Sequence, residues 1–214
     1  MIFACDQSQG MASGNLDIAK AAIEQFVNVY MKQGFSHPLM LLGCSSSTEE
    51  PACITRCSLG DPVGLFEKEV KMMDTIASSS SDGGGVNFSQ PIGHAFSILS
   101  KYRLRDNMDT FGYGRQLNNL APANIFVFTD KDTPMAPFRL GKDEGYMHDF
   151  ISHPYRWDQH VHLFVVGKKK GNLKGVDPNL VELVKATGGD MFYISSLKEA
   201  QRTMKTLLDN MVSS

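Results

Sequence analysis

MIFACDQSQG, residues 1–10, and ANIFVFTD, residues 123–130, are the two stretches that decide the fold of this chain. Each is a short apolar run that ends in an aspartate, Asp6 in the first and Asp130 in the second. Short apolar runs of this kind are typical of strands buried on both faces of a parallel sheet. In an open α/β sheet, ligands bind where the carboxyl ends of neighbouring strands diverge. The two aspartates therefore indicate one shared site.

Two kinds of segment alternate along the chain. In one kind the apolar residues recur every second position or form an unbroken run, and in the other they recur with the 3.6-residue period of a helix. This alternation predicts βαβ units and a mostly parallel sheet. Strands are predicted at 1–5, 38–44, 52–56, 123–129, 160–167 and 191–194, with an antiparallel edge at 52–56. Four helices are predicted. The first has Asp17 in its first turn, and the second begins at Pro91. The third runs from Pro178 to the glycine pair at 188–189, and the last begins with a capping box, Ser196-x-x-Glu199. We therefore expect a doubly wound, six-stranded α/β fold with helices on both faces.

The size and charge of the chain exclude several classes of protein. A length of 214 residues suits a single domain that spans 1–214. The 21 basic and 23 acidic residues give a net charge of -2, which provides no general attraction to nucleic acid or to anionic lipid. The one basic run, at 168–170, has no interleaved aromatic residues and is typical of a solvated loop. We expect neither membrane insertion nor direct nucleic-acid binding.

Cysteines and histidines give no metal or disulfide signature. Cys5 and Cys44 fall within predicted strands and fit small buried residues, and the apolar start lacks the basic leader of a secretory signal. We therefore expect a reducing, intracellular compartment. The histidines at 148, 153, 160 and 162 have no zinc spacing, and Cys53-x-x-x-Cys57 has no second cysteine pair.

The oxygen-bearing side chains at the shared site leave two interpretations open. Magnesium takes an octahedral set of oxygen ligands, and Asp6, Ser8 and Asp130 would provide part of one. Aspartate and serine at a strand end also build β-to-α turns and helix caps without any metal. The chain contains no G-x-S-x-G nucleophile motif and no phosphate-binding G-x-x-x-x-G-K-[ST] motif, so we do not expect an enzyme.

Three motifs taken together resemble those of a von Willebrand factor A domain. They are Asp6-x-Ser8-x-Gly10, a glycine-rich stretch at 83–93 before a helix, and Thr129-Asp130 after a central strand. That family is a doubly wound α/β fold with a metal-ion-dependent adhesion site. Within it, the chain is most similar to the N-terminal domain of the Integrator complex subunit 6 group. The likeness lies in YGRQLNNLAPANIFVFTD (113–130), PYRWDQ (154–159) and TGGDMFYISSLKEA (187–200).

The resemblance implies a function that composition does not. It implies a non-catalytic protein–protein interaction domain, the N-terminal part of a longer chain, in a nuclear assembly that acts on RNA polymerase II transcripts and processes snRNA. Its partners would be other subunits of an Integrator-like complex and a protein phosphatase 2A module. Aromatic and arginine side chains dominate interface energies, so we expect Tyr155 and Arg156 to be contacts. The alternative is a magnesium-dependent adhesion domain unrelated to Integrator.

Departures from the family motifs weaken the metal site. Gly10 stands where the family has a second serine, and Val86 stands at or beside the position of the expected threonine. Asp6, Ser8 and Asp130 match ligand positions of the family motifs, but two direct oxygen ligands of those motifs are missing. We therefore predict weak Mg²⁺ binding or none, and no other cofactor. Asn87 and Ser89 are the candidate substitutes for a lost oxygen.

Overall fold

The computed structural model describes residues 1–34, 37–45, 53–76, 86–106, 123–130, 159–167 and 176–213. These residues form six strands and five α-helices. The strands are β1 (Ile2–Asp6), β2 (Met40–Cys44), β3 (Cys53–Cys57), β4 (Ala123–Asp130), β5 (Gln159–Val166) and β6 (Met191–Ile194). The helices are α1 (Asn15–Lys32), α2 (Val63–Met72), α3 (Ser89–Asp106), α4 (Pro178–Ala186) and α5 (Leu197–Ser213), and a short 3-10 turn (Gln9–Ser13) precedes α1.

All six strands form one sheet in the order β3-β2-β1-β4-β5-β6. Every neighbouring pair is parallel except β2 and β3, so the predicted antiparallel edge is confirmed. The order reverses at β1, which pairs with β2 on one side and β4 on the other. This is the switch point of a doubly wound sheet, the place where such folds bind their ligands.

The two faces of the sheet bury two separate hydrophobic cores, because alternate residues of each strand point to opposite sides. On β1, Phe3 and Cys5 face a core that α1 and α5 cover, whereas Ile2 and Ala4 face a core that α3 and α4 cover. The first core is aromatic: the rings of Phe3 and Phe126 lie 4.9 Å apart. Helix α1 buries one apolar face in it, namely Ala19, Ala22, Ile23, Phe26 and Tyr30.

The helix ends follow the capping residues of the sequence, with one correction. Asp177 accepts a hydrogen bond from the backbone N–H of Asn179 (2.8 Å) and so caps α4, as expected of an aspartate before a proline. At α5, Ser196 accepts from the N–H of Glu199 (3.3 Å), which is one half of the predicted capping box. The Glu199 carboxylate instead accepts from Ser195, at both its N–H and its hydroxyl.

The sequence prediction missed one helix, α2, and placed the start of another helix, α3, two residues too late. Helix α2 was not predicted, because only Phe66 and Val70 bury apolar side chains in it and its periodic pattern is short. Helix α3 begins at Ser89, two residues before Pro91. In the described part of the chain, no helix has the length and apolar character that a membrane span requires.

Candidate functional site

The two aspartates that end β1 and β4 lie at one rim of the sheet. Cys5 pairs with Phe128 across the two strands, so the residues that follow them, Asp6 and Thr129–Asp130, end β1 and β4 at the same edge of the sheet. Both carboxylates are buried, and the charge of Asp130 contributes to raising the pKa of Asp6. The rim is therefore at the switch point, where the sequence placed it.

Local hydrogen bonds hold Asp6 in a fixed orientation. One carboxylate oxygen accepts from the backbone N–H of Ser8 (2.7 Å), and the other accepts from the hydroxyl of Thr129 (3.0 Å). Burial raises the pKa of Asp6 from its ordinary 3.8 to about 6, although the bonds from Ser8 and Thr129 oppose this rise. Within the described residues, no lysine or arginine forms an ion pair with Asp6, so its negative charge is poorly compensated.

Ser8 places a hydroxyl beside this carboxylate. Its side chain is buried, it stands before the 3-10 turn, and it lies close enough to Asp6 to lower the pKa of that group. Its hydroxyl oxygen makes no well-directed hydrogen bond with any described residue. An uncommitted buried hydroxyl is a suitable oxygen donor for a cation or for a polar group of a partner.

In the glycine-rich motif at 83–93, the position at which the family has a threonine brings no side-chain oxygen to this rim. Val86 is buried in the core beneath α3, beside Phe88. Asn87 uses its side-chain oxygen to accept from the N–H of Ser89 (2.9 Å), which caps the start of α3. The Asn87 side chain therefore has a structural partner at the start of α3, and the role of Ser89 as a substitute ligand stays a prediction.

Gln7 is a buried residue of the rim that the sequence interpretation missed. Its amide donates to the backbone oxygen of Asp74 (2.6 Å) and accepts from the Arg56 guanidinium (3.1 and 3.2 Å). Gly43 leaves room for it, since a Cβ at that position would lie 2.0 Å from the Gln7 amide oxygen. The sequence signals were a glutamine directly after a strand and a glycine inside an apolar run. This network ties the edge strand β3 and the segment after α2 to the rim.

Four side chains bring oxygen atoms to the rim. They are Asp6, Ser8, Thr129 and Asp130, and both oxygens of Asp6 already accept hydrogen bonds. Gly10 and Val86 supply none. Among the described residues there is also no cluster of three histidine, cysteine or acidic side chains arranged to hold a metal.

The histidines at the opposite end of the sheet have structural partners. His160 Nδ1 bonds the backbone oxygen of Thr187 (2.6 Å), and His162 Nε2 bonds the side-chain oxygen of Asn124 (3.1 Å). Burial lowers the pKa of His162 to about 4, so its ring is neutral and accepts from the N–H of Asp190. The histidines at 148 and 153 lie outside the described residues.

Comparison with known proteins identifies the fold. No protein-family model matches the chain. In solved structures, a von Willebrand factor type A protein from Catenulispora acidiphila superposes with a TM-score of 0.56 at 9% identity, covering 96% of this chain and 41% of that one. The chain has the fold of a von Willebrand factor A domain.

Sequence similarity points to one group that carries this domain. The chain is 26% identical over 212 residues to the Integrator complex subunit 6 homolog of Dictyostelium discoideum, covering 92% of this chain. It is 23% identical over 227 residues to Integrator complex subunit 6-A of Xenopus laevis, covering 97%. The chain spans only 18% and 24% of the lengths of these two relatives.

Several residues to which the sequence assigns a role lie outside the described residues. These are Tyr155 and Arg156, the basic run at 168–170 and the first part of the glycine-rich stretch, at 83–85. Their roles stay predictions from the sequence. The rim itself is described at Asp6, Ser8 and Asp130.

Proposed function

We propose that this chain is a non-catalytic protein–protein interaction domain of an Integrator subunit 6-like protein. The observation that carries the proposal is the similarity to the Dictyostelium relative, which extends over 92% of the chain. On that similarity, we place the protein in a nuclear assembly that acts on RNA polymerase II transcripts, including snRNA. Its partners would be other Integrator subunits and a protein phosphatase 2A module.

The rim of the sheet supports an interaction role in place of catalysis. A hydrolase needs a nucleophile within reach of a base, and among the described residues the Ser8 hydroxyl makes no hydrogen bond with a histidine. His160 and His162 start β5 and therefore lie at the other end of the sheet. Asp6 is buried and is held rigidly by Ser8 and Thr129, which suits a fixed support for the surrounding surface.

Affinity purification tests the proposed partners. We expect the tagged full-length protein, expressed in its native cells, to recover other Integrator subunits, because sequence similarity covers most of the domain. Replacing Tyr155 with alanine and Arg156 with glutamate should reduce that recovery at least about tenfold, since aromatic and arginine side chains dominate interface energies. Lys205→Glu, an exposed site on α5, is the matched control. Recovery of only cell-surface or matrix proteins would overturn the proposal.

Magnesium titration tests the incomplete metal site. We expect calorimetry at physiological magnesium to detect weak binding or none, because Gly10 and Val86 supply no side-chain oxygen. Chelation should leave partner recovery unchanged for the same reason. Tight binding that Asp6→Ala abolishes, together with loss of partners on chelation, would instead support a magnesium-dependent adhesion domain.

A further inference from the structure

Two cysteines lie directly opposite each other on the antiparallel pair at the sheet edge. Cys44 ends β2 and Cys53 begins β3, and the two are register partners. Directly opposed residues in antiparallel strands have Cα atoms about 4.5–5.5 Å apart, whichever hydrogen-bonding position they occupy. A disulfide bridges Cα atoms about 4.4–6.8 Å apart. The backbone of this pair therefore already has the spacing that a cross-strand disulfide needs.

The side chains of the pair also share a face of the sheet. Cys44 is fully buried in the core beneath α3, and Cys53 packs against that same core while remaining partly exposed. Burial raises the pKa of the Cys44 thiol well above its ordinary value, and the nearby Cys53 adds to this rise, as expected of two thiols that lie close together. An oxidant can thus reach Cys53 from solvent, with Cys44 behind it.

A bulge in β3 removes the competing partner. Leu41 pairs with Cys57 and Leu42 pairs with Thr55, so Arg56 is an extra residue on β3. An extra residue reverses which face the following side chains take. Cys57 consequently packs in the core beneath α1 and α5, although four residues along a regular strand would have placed it on the face of Cys53.

We propose that Cys44 and Cys53 are a dithiol–disulfide pair that closes under oxidising conditions and fixes β3 to β2. Both are free thiols in the structure. The inference does not rest on the proposed function, since only the strand register and the two cores support it.

Closure would act on the rim described above. The backbone oxygen of Cys44 accepts from the N–H of Gln7 (2.9 Å), and Arg56 of β3 donates to the Gln7 side chain. A covalent link between β2 and β3 would hold both attachments of Gln7 in place. The oxidised form should therefore have a more rigid rim beside Asp6.

The reaction is an ordinary thiol–disulfide exchange with a small disulfide such as oxidised glutathione. The Cys53 thiolate attacks one sulfur of glutathione disulfide and releases one glutathione thiolate. The Cys44 thiolate then attacks the mixed disulfide and releases the second. Two electrons pass from the protein thiols to glutathione, and the two thiol protons go to solvent or to the released thiolates.

Mapping the cysteines after equilibration tests the pair. The folded protein is incubated in glutathione buffers of increasing oxidised fraction, then acid-quenched, alkylated, digested and analysed by mass spectrometry. We expect one linked peptide that joins 44 to 53, with Cys5 and Cys57 alkylated, and full reversal by dithiothreitol. Absence of that link in the most oxidising buffer, or a link from Cys53 to Cys57, would overturn the proposal.

Variants separate this link from general oxidation. Cys53→Ser should abolish the link and the accompanying rise in thermal midpoint between reduced and oxidised protein, and its partly exposed site is compatible with folding. Cys57→Ser is the matched control, on the same strand but in the other core, and should retain both. If Cys57→Ser loses the midpoint rise while Cys53→Ser keeps it, the assigned pair is wrong.

Discussion

Replacing Gly189 with alanine is expected to destabilise the fold by about 3 kcal/mol or more, because the new methyl group has no space and the neighbour cannot move. A Cβ at this position would lie 1.8 Å from the backbone oxygen of Val161 and 2.6 Å from its carbonyl carbon. Val161 lies in β5, where it pairs with Ile125 of β4 and its N–H donates to the Thr187 hydroxyl (3.1 Å). Urea unfolding at pH 7 should show a much lower midpoint with an unchanged slope.

Gly64 provides the matched control for this experiment. It lies in α2, where an added Cβ would meet nothing within 4 Å. Alanine in a helix is favoured over glycine by about 1 kcal/mol, so Gly64→Ala should be neutral or stabilising. A Gly189→Ala protein that unfolds at the normal urea concentration would show that the turn between α4 and β6 is not packed against β5.

The central strands were predictable because a strand that is buried on both faces has apolar residues at consecutive positions of the sequence. Residues 2–5 and 125–128 contain no polar side chain, and both became interior strands of the sheet. The edge strand Cys53–Cys57 was also found, but its bulge was not. A bulge depends on which residue pairs across the sheet, and no property of Arg56 in the sequence reports that.

The site was predictable only as far as strand ends determine it. Asp6 and Asp130 had to meet, since their strands were adjacent and parallel. The role of Gln7 was not predictable, because it depends on three groups from other parts of the chain: Gly43, Arg56 and the backbone of Asp74. Such long-range hydrogen bonds follow from the fold and cannot be found from local spacing.

Replacing Asp6 with asparagine should stabilise the protein at neutral pH and do so less as the pH falls. Burial raises the pKa of this carboxyl to about 6 in the folded chain, from an ordinary 3.8. The folded state therefore holds the proton more tightly than the unfolded state, and stability is lost as the pH rises from 4 through 6. At about 1.4 kcal/mol per pH unit, the buried charge costs roughly 3 kcal/mol above pH 6. Asparagine can accept from Ser8 and donate to Thr129 without that charge.

Urea unfolding in a chelating buffer measures the free energy of unfolding of Asp6→Asn and of the unmodified protein. The test is how the difference between these two free energies changes from pH 4 to pH 7.5. Most of the 3 kcal/mol should develop over this interval. Asp17→Asn removes an exposed charge from the first turn of α1 and should change stability by less than about 1 kcal/mol at either pH. If Asp6→Asn instead becomes relatively less stable as the pH rises, a positive group must neutralise Asp6. The rim would then hold a compensated carboxylate, and the raised pKa of Asp6 would be wrong.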